Sequence, residues 1–149
     1  MSVNEAREEF YSFLVEYANF FREMAGFEQQ KLEVLLGNRL PEIEHAISVT
    51  QANAMALTNL ENKRIRLQRD AGLAEMSFSQ LAETASEGSR QQLRELMDQL
   101  NGYLRDIKFY NTKSMDVAQL KLKAQERTAV RSNEVHPRTA TPTKLETKA

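Results

Sequence analysis

Cysteine and tryptophan are absent from this 149-residue chain, proline occurs three times and glycine five. Without cysteine there are no disulfides, no thiol chemistry and no Cys-based zinc or iron–sulfur site, which suits a reducing cytoplasm. With so few helix breakers, long stretches run uninterrupted, and Ala, Leu, Glu, Gln, Lys, Arg and Met dominate, all good helix formers. No run approaches the roughly 18 apolar residues that a membrane-spanning helix needs. Met1-Ser2-Val3-Asn4-Glu5 has neither the basic start nor the apolar core of a signal peptide. The expectation is a cytoplasmic protein with no membrane insertion. An apolar fraction of 41% argues against a wholly disordered chain.

The raw material of catalysis is equally thin. The two histidines, His45 and His136, have no second histidine or cysteine at metal-ligand spacing. Glu42 and His45 form a single Glu-x-x-His pair where a di-iron bundle needs two. Glycine-rich phosphate loops, a nucleophile elbow and calcium-loop spacing are missing. No enzyme, metal site or cofactor is expected.

The net charge of −1 conceals an asymmetry: residues 1–89 sum to −6 and residues 90–149 to +5. Such a split could steer an acidic partner to the C-terminal part, or let helices of opposite sign pack together. Lys108, Lys113, Lys121, Lys123, Arg127 and Arg131 could follow a nucleic-acid backbone. Asp106, Asp116 and Glu126 interrupt them and the sequence pI is near 6.2, so no nucleic-acid partner is expected.

No β-alternation is present. The periodicity predicts an all-α protein: an elongated antiparallel helical hairpin followed by a long third helix. The first helix is expected from about Asn4, as N-cap, to Leu36. Phe10, Phe13, Tyr17, Phe20, Met24 and Phe27 step by three and four along one seam, with Leu14 and Phe21 widening it. Gly37-Asn38 marks the reversal, with Gly37 in the left-handed conformation, Asn38 capping the next helix and Pro41 in its first turn. A continuous kinked helix is the competing geometry. The second helix is expected over Arg39–Ala71, with Leu40, Ile43, Ile47, Ala54, Leu57, Leu60 and Leu67 as its stripe. Gly72 ends it, and Ser77 caps a short turn holding Phe78 and Leu81. The last helix is expected from Glu87 to about Ala129. Residues 1–131 then form one domain, and residues 132–149 a flexible Pro-, Thr- and Lys-containing tail.

The last helix has more apolar residues than one seam can use. Leu93, Leu96, Met97, Leu100, Tyr103, Leu104, Ile107 and Tyr110 recur at helical spacing, whereas Phe109, Met115, Leu120 and Leu122 fall largely outside it. Leu96, Leu100 and Leu104 are expected against the hairpin. Ile107 and Tyr110 stand equally for burial there or for a partner. From Val117 onward the third helix is expected to outrun the hairpin and meet a partner or a second copy.

Several segments carry a resemblance. Leu32-Glu33-Val34-Leu35-Leu36, Leu40-Pro41-Glu42-Ile43-Glu44, Ala54 to Glu61 and Arg64-Ile65-Arg66-Leu67 with Gly72 are similar to the FlgN family of flagellar export chaperones. So are Met76 to Leu81 and the stretch Leu100 to Asn111. The resemblance covers roughly residues 10–125, and its motifs are leucines, glutamates and an arginine at helical spacing. The Phe-rich first helix and the tail after Ala129 depart from it. It implies a cytoplasmic chaperone that grips the C-terminal helices of hook–filament junction proteins. Such a chaperone keeps them unassembled and delivers them to the flagellar type III export gate.

The client surface implied lies in the C-terminal part. Ile107, Tyr110, Val117 and Leu120 would form the main contact line, with Phe109, Met115 and Leu122 as a second. Lys108, Lys113 and Lys121 would orient an acidic client. Burying four such side chains yields on the order of 6–12 kcal/mol gross, from which ordering costs are subtracted. The alternative is a structural or adaptor coiled coil that oligomerises through the same helix. Weak self-association fits either reading.

Overall fold

The computed structural model describes residues 2–135. The protein is all-α: α1 (Val3–Gly37), α2 (Leu40–Asp70), the single-turn α3 (Phe78–Leu81) running into a 3-10 turn (Ala82–Thr84), and α4 (Glu87–Val135). Helix α1 is the spine. It packs against both α2 and α4, yet no Cα of α2 comes within 8 Å of one in α4.

The helix ends obey local chemistry. Ser2, not Asn4, caps α1, because Ser2 and Glu5 form a reciprocal capping box. Capping at Asn4 would place Arg7 three residues on, where no such return bond exists. At the reversal it is Asn38, not Gly37, that takes the left-handed conformation (φ 61°), which Asn tolerates better than most residues. Arg39 then becomes the N-cap, and Pro41 falls in the first turn of α2, where a missing N–H is harmless. Gly72 (φ 76°) closes α2: its own N–H donates to Arg69 O at 2.9 Å, and Leu73 N–H to Gln68 O at 3.0 Å. This is a Schellman ending, and buried Leu73 supplies its apolar contact.

The core sits at one end of the spine. Phe10, Phe13, Leu14, Tyr17 and Phe21 of α1 meet Leu67, Leu73 and Leu81, with Leu93, Met97 and Leu100 of α4. Phe10, Leu14, Leu73, Leu81 and Leu100 are fully enclosed, each worth about 1.5–3 kcal/mol of burial. Tyr17 is the hub of the aromatic seam, edge-on to Phe21 at 4.9 Å and to Phe78 at 5.9 Å.

Three expectations need correcting. On α2, Leu40, Ile47 and Ala54 are exposed. The face toward α1 runs through Ile43, Ala46, Asn53, Leu57, Leu60, Arg64 and Leu67, each buried or half-buried. Polar Asn53 and Arg64 occupy seam positions, so the apolar count favoured a flank. Helix α4 also extends past Ala129 to Val135, into the segment expected to be tail; residues 136–149 lie outside the described residues. Finally, α4 does not outrun the hairpin from Val117. Lys121 Nζ donates to Leu35 O and to Asn38 Oδ1, so the hairpin turn lies level with Lys121 and only the later turns of α4 project beyond it.

Candidate functional site

The two ends of the spine differ in what stands between α2 and α4. At the core end the gap is filled. Phe78 lies against Tyr17 of α1, and Arg64 of α2 sits 5.5 Å over its ring. A polar network locks this plug. Tyr17 Oη donates to Glu61, and Arg64 donates to Glu61 at 3.1 and 3.2 Å and to Gln68 Oε1 at 2.6 Å. Gln68, itself buried, donates to Leu73 O and Met76 O, each at 2.9 Å. Burial, then the adjoining Glu61, raises the Tyr17 phenol well above its usual range. Burial also pushes the Glu61 carboxyl up, but the bonds from Arg64 and Tyr17 outweigh it and hold that group below the ordinary carboxylate range.

At the other end the gap is open. Its floor is Lys31 and Leu35 of α1. One wall is Ile43, Ala46, Ile47, Thr50 and Gln51 of α2, and the other is Asn111, Ser114, Met115 and Ala118 of α4. The space is about 380 Å³. Ile47 and Met115 are 53% and 54% exposed although they face a concave apolar surface. Lys31 is held by Glu28 at 2.8 Å, so the floor carries a neutralised pair. Ser114, 3% exposed, has an Oγ with no hydrogen-bond partner. Lys121 closes the far end by tying α4 to the α1–α2 turn.

The ten residues singled out on α4 divide into three groups. Ile107, Tyr110 and Val117 are half-buried, in register with Leu93, Leu100 and Ser114 on the face toward α1, and Ile107 packs on the core cluster. Met115 lines the trough, and Leu122, seven residues on, shares its flank by helical register. Phe109 and Leu120 stand on the outer face, with Lys113 5.7 Å from the Phe109 ring. Lys108 is exposed, while Lys121 is engaged at the turn. The structure therefore does not assemble these side chains into one line. The α2 wall is absent from the sequence-based expectation. Its signal is the stretch from His45 to Leu60, sixteen residues without Asp, Glu, Lys or Arg, on a helix that exposes Met55 at 72%.

No cluster of three or more His, Cys, Asp or Glu able to hold a metal ion occurs among the described residues, and none of their helices is long and apolar enough to cross a membrane. Compared with known proteins, the chain matches no family model, no curated protein and no solved structure.

Proposed function

We propose that this chain is a helix-holding export chaperone. It works in the cytoplasm as a binding protein, not an enzyme, and needs no cofactor. Its clients are hook–filament junction proteins, gripped by their C-terminal helices, kept unassembled and passed to the flagellar type III export gate. The observation that carries this reading is an apolar trough, one wall of which is α4, left uncovered on a frame whose other end is fully packed. Helix-in-groove recognition buries an amphipathic partner on such a surface. The resemblance of residues 10–125 to the FlgN family supplies the biological setting.

Calorimetry with a purified junction protein, intact and lacking its C-terminal helices, tests the reading. A defined complex that disappears with those helices is the expected result. No complex, or one indifferent to their removal, overturns it.

Phe109 and Leu120 favour a second reading. They stand on the outer face of α4, turned away from α1, where an adaptor coiled coil would pair with a second copy. A dimer whose sedimentation is unchanged on dilution, and which Leu120→Glu splits, would establish that reading instead.

A further inference from the structure

Helix α4 is held by different means along its two halves. Up to Leu100 it is keyed into the core by Leu93, Met97 and Leu100, all buried. Tyr103 and Ile107 reach the edge of that cluster, and no later residue of α4 does. From Asn101 to Lys121 the one buried residue is Ser114, whose hydroxyl has no hydrogen-bond partner. Among the described residues, the hydrogen bonds from α4 beyond Leu100 to another element are the two made by Lys121.

The seam beneath this stretch is poorly suited to hold it. Lys121 meets Leu35 O, so Ser114, seven residues earlier, stands level with Glu28 of α1, seven residues before Leu35. Both are buried. Glu28 is paired with Lys31 on its own helix and offers α4 no tie. A buried hydroxyl left unpaired favours any state in which water reaches it.

At the boundary between the two halves stands Gly102. Packing does not require glycine there: a Cβ would meet nothing nearer than Arg105 Nη2, at 3.8 Å, an ordinary contact. Its effect is on the helix itself, which bends more readily at glycine than at alanine. Gly26 of α1 is equally unobstructed, but α1 is splinted by both α2 and α4, whereas this part of α4 leans on α1 alone.

We infer that α4 beyond Leu100 is a hinged strap, with Gly102 as its pivot and Lys121 as its latch. The rise from Gly102 to Lys121 is about 28 Å, so a bend of about 20° at the pivot carries the latch end by about 10 Å. Helices α2 and α4 are the two banks of the trough. One bank moves while the other stays paired to α1, so the width of the trough is adjustable. The strap is a property of the frame and stands whether or not the chain serves in export.

The absence of cysteine allows spin labels at introduced cysteines in the full chain. Glu33→Cys with Gln119→Cys spans α1 and the strap. Glu9→Cys with Asp98→Cys spans the same two helices at the core end, and all four sites are exposed. Pulsed dipolar spectroscopy is expected to give one narrow distance for the core pair and two populations for the strap pair. The longer of the two is the open strap. Lys121→Met raises it about two- to fivefold, as loss of two exposed hydrogen bonds implies. Gly102→Ala lowers it about fivefold, because alanine resists the bend, and Ser114→Ala lowers it as well. The core pair stays unchanged in every variant, which shows that the fold is kept.

A longer population that emerges only in Lys121→Met supports a strap latched shut. A single narrow strap distance that persists in Lys121→Met overturns the inference. So does a longer population that Gly102→Ala leaves unchanged, since the bend then lies elsewhere. Broadening of both pairs together overturns it too, because the whole frame is then loose.

Discussion

The two ends of the α1 spine are built from the same helices and reach opposite outcomes. At the core end, Phe10, Phe13, Tyr17 and Phe21 are covered from both sides, because the α2–α4 connection folds back and inserts Phe78 and Leu81 between the outer helices. At the hairpin end there is no such insert. Ala25, Glu28, Ala46 and Ser114 are buried there, while Leu36, Leu40, Ile47 and Met115 face outward. A large apolar residue needs neighbours on several sides to be enclosed, and two helices flanking a third cannot supply them. The lesson is that an insert of one helical turn and a 3-10 turn separates a packed core from an open cradle.

Substitutions can break that contrast. The largest effect belongs to the core end, where Phe10→Ala costs about 3–5 kcal/mol and Leu100→Ala about 2–5. At the open end, Ile47→Ala and Met115→Ala change stability by less than about 0.5 kcal/mol, since their side chains are half in water already. Urea unfolding of all four variants measures this. Similar losses at both ends would mean that the trough is closed in solution.

The plug comes next. Gln68→Ala leaves Leu73 O and Met76 O without their donor and costs about 1–3 kcal/mol by the same measurement. The network also gives the core end a pH dependence. The folded Glu61 carboxyl is held low, so its contribution is present above its unfolded pKa and is lost as pH falls through the folded one. The raised Tyr17 phenol acts in the opposite sense. Its contribution is complete below about pH 10, the unfolded value, and is lost as pH climbs toward the folded one. Glu61→Gln therefore flattens the acid limb of stability against pH, and Tyr17→Phe the alkaline limb, both read by thermal unfolding across buffers.

Among the polar ties, the smaller effect is at the turn. Lys121→Met removes two hydrogen bonds at a solvent-facing helix end and costs about 0.5–1 kcal/mol. Hydrogen exchange at the start of α2 should rise while exchange in the core end stays unchanged.

Much of the fold is legible in particular residues. The Phe10–Phe27 ladder marks a helix with a bulky seam, Gly72 marks the stop of the second helix, and Ser77 with Phe78 and Leu81 marks the short capped turn. The register of α2 is not legible, because Asn53 and Arg64 hold seam positions that no hydrophobic pattern reports. The α4 half of the trough is visible as surplus apolar residues. Its partner wall is not, since Gln51 and Thr50 gain meaning only when α4 is seen to stand apart from α2. Lys121 reads as a steering charge in the sequence, because a lysine at helical spacing gives no hint that its ammonium meets a carbonyl 86 residues away.

The separation of the outer helices has a thermodynamic consequence. Along the open half, α2 and α4 are linked through α1 and, at the turn, through the Lys121 tie. Paired substitutions, one on each bank, should therefore sum independently in the free protein, as distant sites do. A molecule lying in the trough would touch both banks at once, and the same pair would then cease to be additive. Alone, the frame keeps its two arms deaf to each other, and only a molecule touching both would let them hear.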